Sequence, residues 1–195
     1  MHIDFHLEKK AHPASYGACG DTGFIRQTGN SYLLALVDAL GHGEKAEDIA
    51  RKAEAFLQEN ANKEDPADII RGIHQCLRET RGAVAAVCRL EIPTGRILYS
   101  GMGNITLRIF GKNPQSLITR DGILGYRIPN PVTDEVLLNP GDIFVMSSDG
   151  LREHYDPDIY PGLLQGTSRD ICLNLMKKLG KGTDDMSCIV LRYSA

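Results

Sequence analysis

From Tyr32 to Val37 the chain reads Tyr-Leu-Leu-Ala-Leu-Val without a polar residue, and it stops at Asp38. A short continuous apolar run with no alternation predicts a strand, residues 31–37, covered on both faces. Such a strand cannot lie at a surface, so the fold must supply a layer on each side of it. The next segments supply one. Asp38-Ala39-Leu40-Gly41-His42-Gly43 is a turn. Residues 44–60 then place Ala46, Ile49, Ala50, Ala53, Phe56 and Leu57 at three-and-four spacing, which predicts a helix with one apolar stripe. A second helix is expected over 66–81. Pro66 suits its first turn, and Ile69, Ile70, Ile73, Cys76 and Leu77 form its apolar face.

Beyond residue 82 the period changes. Residues 83–92 and 96–101 read as a hairpin around Pro93-Thr94-Gly95, and residues 104–110 as a further strand. Residues 135–138 and 143–147 look like the arms around Pro140-Gly141-Asp142. A third helix is expected over 169–179, ending near Gly180, and a closing strand over 186–192. Consecutive hairpins with segregated helices predict an α+β layered fold of mostly antiparallel sheet, with no internal repeat or linker.

Composition narrows the function classes. The chain has 195 residues, 42% of them hydrophobic and 24% charged, with a formal net charge of −3. A mildly acidic chain has no basic footprint for nucleic acid or an anionic membrane. The absence of Trp and an aromatic content of 6% argue against base-stacking platforms. No apolar run approaches the roughly 20 residues that span a bilayer, and the polar N-terminus lacks a signal-peptide core. The five cysteines (19, 76, 88, 172 and 188) have neither metal-finger nor redox spacing, so a reducing cytoplasm is expected.

Four aspartates stand at the ends of apolar segments, beside glycine or a turn: Asp21, Asp38, Asp149 and Asp184. Each has a structural reading on its own, since Asp-Gly is above all a turn dipeptide. If the strand ends converge, however, gathered carboxylates repel one another unless a cation sits among them. Hard oxygen donors suit Mg²⁺ or Mn²⁺.

The ordered set Cys19-Gly20-Asp21, Val37-Asp38-Ala39-Leu40-Gly41-His42-Gly43, Arg81-Gly82-Ala83, Gly101-Met102-Gly103-Asn104, Ser147-Ser148-Asp149-Gly150-Leu151 and Asp184-Asp185-Met186-Ser187 resembles the PPM-type metal-dependent protein phosphatases. Within them it is most similar to the SpoIIE-like branch and its RsbX-type phosphoserine phosphatases. The resemblance extends from about residue 17 to 192, nearly the whole chain.

That resemblance implies an α-β-β-α sandwich with a centre of two divalent cations, Mn²⁺ or Mg²⁺, at one end of the sheets. Asp38 would bridge the cations, the Ala39 carbonyl would add a ligand, and Asp149 and Asp184 would complete the set. Asp21 would ligate directly or orient metal-bound water, so Asp38 and Asp21 are expected to carry catalysis. Asp185 would stand behind the ligands. The implied reaction is hydrolysis of phosphoserine or phosphothreonine by a water bridging the metals, which needs no protein nucleophile. The implied partners are phosphorylated regulators of a stress-response assembly, of stressosome or anti-sigma-antagonist type. Residues 1–195 would then be one catalytic domain without a sensor domain. Its open, shallow site would take specificity from docking its protein substrate, and two cations would reverse the sign of the net charge.

The sequence departs from the family pattern at two positions. Ala39 stands where the pattern has Gly, and Leu40 where many members place a His. A residue that lends only its carbonyl tolerates a methyl group. His42 is near but displaced, and reads as an exposed residue at a helix start. Arg26, Arg81 and Arg152 are the candidates for a phosphate-binding cation. Cys19 lies beside the expected site, while Cys88 and Cys188 read as core. His2, His6 and His12 read as solvated.

The sequence admits two rival readings. Gly41-His42-Gly43-Glu44-Lys45-Ala46 fits a dinucleotide-binding variant. That fold needs a second apolar strand after the helix, whereas residues 60–66 are polar and lead to another helix. The other rival is a pseudophosphatase that binds phosphorylated regulators without hydrolysing them. Its sequence sign would be loss of a metal-binding aspartate, and none of the four is missing; Ala39 and Leu40 keep the reading open.

Overall fold

A computed structural model describes residues 2–194. The elements follow the order β1 (His2–Lys10), β2 (Asp21–Thr28), β3 (Ser31–Ala39), α1 (Glu44–Asn60), α2 (Pro66–Cys76), β4 (Ala83–Glu91), β5 (Arg96–Met102), β6 (Thr106–Phe110), β7 (Gln115–Leu117), β8 (Asp134–Leu137), β9 (Ile143–Ser147), α3 (Ser168–Leu179) and β10 (Met186–Ser194). They form two five-stranded sheets, ordered β1-β10-β9-β6-β7 and β2-β3-β4-β5-β8. Neighbouring strands pair antiparallel in both sheets.

The expected sandwich follows from the pleat of β3. Leu34 and Leu36 point into the core between the sheets, against Leu107, Phe144, Met146 and Ile189. Leu33, Ala35 and Val37 point the other way, onto Ala46, Ile49 and Leu57 of α1 and Ile69 and Ile73 of α2. Both faces are therefore dry, as the unbroken apolar run requires. On the far sheet, Val145 and Val190 meet Ile171, Leu175 and Leu179 of α3. Each fully buried Leu or Ile contributes about 1.5–3 kcal/mol. Among the described residues, no helix is long and apolar enough to cross a membrane.

Three sequence expectations are corrected. The helix expected over 66–81 ends at Cys76. Its last turn closes at Leu77, and Glu79 takes a left-handed φ of 66°, which turns the chain back toward β4. Residues 135–138 and 143–147 do not form a hairpin: β8 pairs with β5 in one sheet, while β9 pairs with β10 and β6 in the other. The step between sheets is held by buried Asp142, whose carboxylate accepts from the amides of Asn139 (2.8 Å) and Lys112 (3.1 Å). Finally, two strands precede the apolar run, β1 and β2, where the sequence shows no strand pattern. β1 is an edge strand whose residues mostly remain partly exposed, so its sequence is polar.

Candidate functional site

The hairpin register of β2 and β3 sets Asp21 directly opposite Asp38. Asp149 follows β9, and Asp184 and Asp185 precede β10. Carboxylates from both sheets thus stand at one end of the sandwich. The loops that carry them are packed tightly. A Cβ on Gly150 would strike the Asp185 carbonyl, so only glycine lets Asp149 turn this close to the start of β10. The Asp185 carboxylate is buried and spans the base of the site, accepting from the amides of His12 and Gly20, both at 2.6 Å.

The electrostatics follow from this crowding. Burial pushes the Asp38 carboxyl up to about 9, and Asp21, Asp149, Asp184 and Asp185 all add to the effect. Burial likewise pushes Asp21 up to about 6. The Ser148 and Ser187 hydroxyls oppose that rise, while Asp185 and Asp184 reinforce it. Asp21 is 1% exposed and its Oδ1 has no hydrogen-bond partner. An orphaned, buried carboxylate oxygen facing further carboxylates is a site short of positive charge, and that donor set fits hard divalent cations.

The remaining expected residues are placed as follows. Asp149 Oδ2 accepts from Asn104 Nδ2 at 2.9 Å, and exposed Asp184 accepts from the Asp185 amide at 2.8 Å. Ala39 is buried, and its amide donates to the Gly20 carbonyl at 3.1 Å. As the side chains stand, no group of three or more His, Cys, Asp or Glu among the described residues is close enough together to hold a metal ion. His42 is exposed, and its ring lies 6.3 Å from that of His12. Burial pushes the Cys19 thiol up to about 12, so at neutral pH it is not a reactive thiolate.

The structure separates the three arginines. Arg26 donates to the Gln58 carbonyl of α1 at 2.7 Å and lies well down β2 from Asp21. Arg152 is exposed beyond Gly150, with its amide bonded to Leu179. Arg81 stands at the carboxylate end: its Nη1 lies 2.9 Å from where a Gly41 Cβ would be, over the loop that follows Asp38. Two residues without an assigned role in the sequence reading also belong here. Ser148 bonds Asp21, and Asn104 bonds Asp149. Both lie inside the quoted motifs, in Ser-Ser-Asp-Gly and Gly-Met-Gly-Asn.

With this geometry in view, the chain can be set beside known proteins. Residues 28–194 match the family described as Stage II sporulation protein E (SpoIIE). The chain is 27% identical over 179 residues to "Phosphoserine phosphatase RsbX" of Bacillus subtilis (strain 168), spanning 90% of this chain and 88% of that protein. A structure from work on the bacterial stressosome as a modular system superposes with a TM-score of 0.89 at 29% identity, over 98% of this chain and 100% of the other. RsbX in complex with magnesium superposes with a TM-score of 0.84 at 23% identity, over 99% and 96% respectively. The chain therefore belongs to the SpoIIE family and has the fold of its PPM-type phosphatase domain.

Proposed function

We propose that this protein is a metal-dependent phosphatase that removes phosphate from phosphoserine or phosphothreonine in regulator proteins of a bacterial stress response. The observation that carries the reading is the pairing of Asp38 with Asp21 among further carboxylates from both sheets, with one buried oxygen left unpartnered. Without a cation the crowding is relieved by holding protons on Asp38 and Asp21, and divalent cations would offset the same charge with the carboxylates ionised. Membership of the family and the likeness to a phosphoserine phosphatase support the chemistry.

In this reading Asp38, Asp149, Asp184 and the Ala39 carbonyl hold two divalent cations, Mn²⁺ or Mg²⁺, with Asp21 a ligand or the group that orients water. The relative crystallised with magnesium supports the metal class. Such cations supply neutralising charge for the phosphoryl oxygens and activate water for attack. Asp185 holds the surrounding loops through its two amide bonds, Asn104 orients Asp149, and Ser148 orients Asp21. Of the three candidate arginines, Arg81, over the Asp38–Gly43 turn, would hold two phosphate oxygens through its guanidinium. Its partners in this reading are phosphorylated regulators of stressosome or anti-sigma-antagonist type in the cytoplasm; the likeness to a phosphoserine phosphatase and to a structure from stressosome work supports the partner class. A non-hydrolysing binding module is not favoured, because the full carboxylate set is present.

The test is metal add-back. Protein stripped by chelator should be inactive on an aryl phosphate and on a phosphoserine peptide, and Mn²⁺ or Mg²⁺ should restore both activities. Titration calorimetry should count two cations. Metal binding without phosphate release would instead support the binding-module reading.

A further inference from the structure

A second feature lies beside the carboxylates. The β1–β2 loop and the start of α1 enclose an open cleft of about 540 Å³, within the size range of ligand sites. Ser15 and Tyr16 line it from the loop; His42, Gly43, Glu44 and Glu47 line it from the turn after Asp38 and the first turn of α1. Asp185 anchors both ends of this loop, at His12 and Gly20, and so couples the cleft to the base of the carboxylate site.

We propose that this cleft docks the basic stretch of polypeptide flanking the phosphorylated residue of the substrate, with Glu44 meeting a cationic side chain and Tyr16 covering it. The inference rests on the phosphatase reading above and names the recognition surface for it. Four independent observations support it. Tyr16 is 101% exposed, although its φ of 50° places a bulky aromatic in the left-handed region. That conformation is the left-handed cap of the one-turn helix Pro13–Ser15, which holds the ring out in solvent, and exposed aromatics are the usual anchors of interfaces. Glu44 is exposed and makes no ion pair among the described residues, whereas Glu47 is engaged by Arg51 at 3.1 Å. No Lys or Arg lines the cleft, so its charge complement is a cation. Ser15 is 7% exposed, and its Oγ has no partner; the α1 N-terminus beside it has no side-chain cap, because Gly43 holds that position. The Ala46 and Glu47 amides bond the Gly43 carbonyl, which leaves the Glu44 and Lys45 amides at the helix start for the carbonyl groups of an extended peptide. The acidic pair Glu44 and Glu47 makes a bare anion the poorer fit.

Two labelled phosphoserine decapeptides test the proposal, one with arginines on both sides of the phosphoserine and one with glutamates. Fluorescence anisotropy should show the arginine peptide binding about tenfold tighter, a difference of about 1.4 kcal/mol. Glu44→Gln should erase that preference and Glu44→Lys should invert it. Tyr16→Ala should weaken both peptides about fivefold. All three variants should hydrolyse an aryl phosphate within twofold of wild type. Equal binding of the two peptides by wild-type protein, or an unchanged preference in Glu44→Lys, would overturn the proposal. So would a loss on aryl phosphate as large as that on peptide. Because binding is read without turnover, these outcomes are separate from a failure of metal-dependent hydrolysis, which would count against the phosphatase reading alone.

Discussion

Ser148 Oγ donates a 2.6 Å hydrogen bond to Asp21 Oδ2 across the two sheets. The same hydroxyl accepts from the Ser187 amide at 2.9 Å, so one small side chain ties β2 to β10 at the carboxylate end. Ser148→Ala leaves the buried Asp21 carboxylate without this donor, at an expected cost of about 1–3 kcal/mol. For a domain of this size each kcal/mol lowers Tm by about 2–4 °C. Mn²⁺ affinity should also fall, by roughly tenfold. Calorimetric melting and metal titration check both effects. An unchanged metal affinity would show that Asp21 is positioned without Ser148.

Arg81 tests the placement of the phosphoryl group. Its guanidinium is exposed and lies over Gly41 rather than in a core contact, so Arg81→Ala should leave Tm within about 1 °C of wild type. kcat/KM should fall at least about tenfold on aryl phosphate and phosphopeptide alike, with Arg81→Lys recovering only part of the loss. Steady-state kinetics on both substrates decide the matter. Wild-type kinetics in Arg81→Ala would remove this residue from the site.

Arg89 predicts the opposite split. It is buried on β4 and donates to Thr28 Oγ1 (2.8 Å), Ser31 Oγ (3.0 Å), the Ala61 carbonyl (2.7 Å) and the Lys63 carbonyl. These bonds fasten the α1–α2 connection to the sheet. Arg89→Met should cost about 2–4 kcal/mol in urea unfolding, because charged hydrogen bonds are lost and carbonyls are left unpaired. Activity per folded molecule should be unchanged.

Tyr155 gives a pH signature. Its ring stacks on the Arg108 guanidinium, with 4.4 Å from Cζ to the ring centroid. Burial pushes the phenol from 10.0 up to about 12, and Arg108 pulls the other way. Because the folded value lies above the unfolded one, the fold favours the neutral phenol. Its contribution is whole below pH 10.0 and is lost as pH rises through about 12. Tyr155→Phe should flatten that loss in urea melts and remove one late-titrating tyrosinate from the absorbance titration. An identical slope in the variant would contradict the assignment.

How much of this was legible in the sequence depended on what each residue packs against. β3 and α1 were readable because their apolar patterns record burial directly, and α1 spans Glu44–Asn60 as expected. β1 was not, because an edge strand that keeps Phe5 partly in solvent has no apolar run to find. The false hairpin around Pro140 arose because a tight turn looks the same whether its arms pair or diverge. What separates β8 from β9 is the long-range anchoring by Asp142. At the site, the aspartates were visible through their glycine neighbours. Ser148 and Asn104 were not, since their roles are set by contacts 127 and 45 residues away.

If Asp38 gathers cations for phosphate hydrolysis, removing its charge must abolish the reaction while sparing the fold. Phosphate release from a phosphoserine protein in Mn²⁺ should be compared between wild type and Asp38→Asn, with circular dichroism confirming the fold of each. Asp38→Asn should lose more than about 100-fold, keep an unchanged or slightly raised Tm without metal, and not recover at high Mn²⁺. Activity within a few-fold of wild type in a folded Asp38→Asn protein would contradict that role for Asp38.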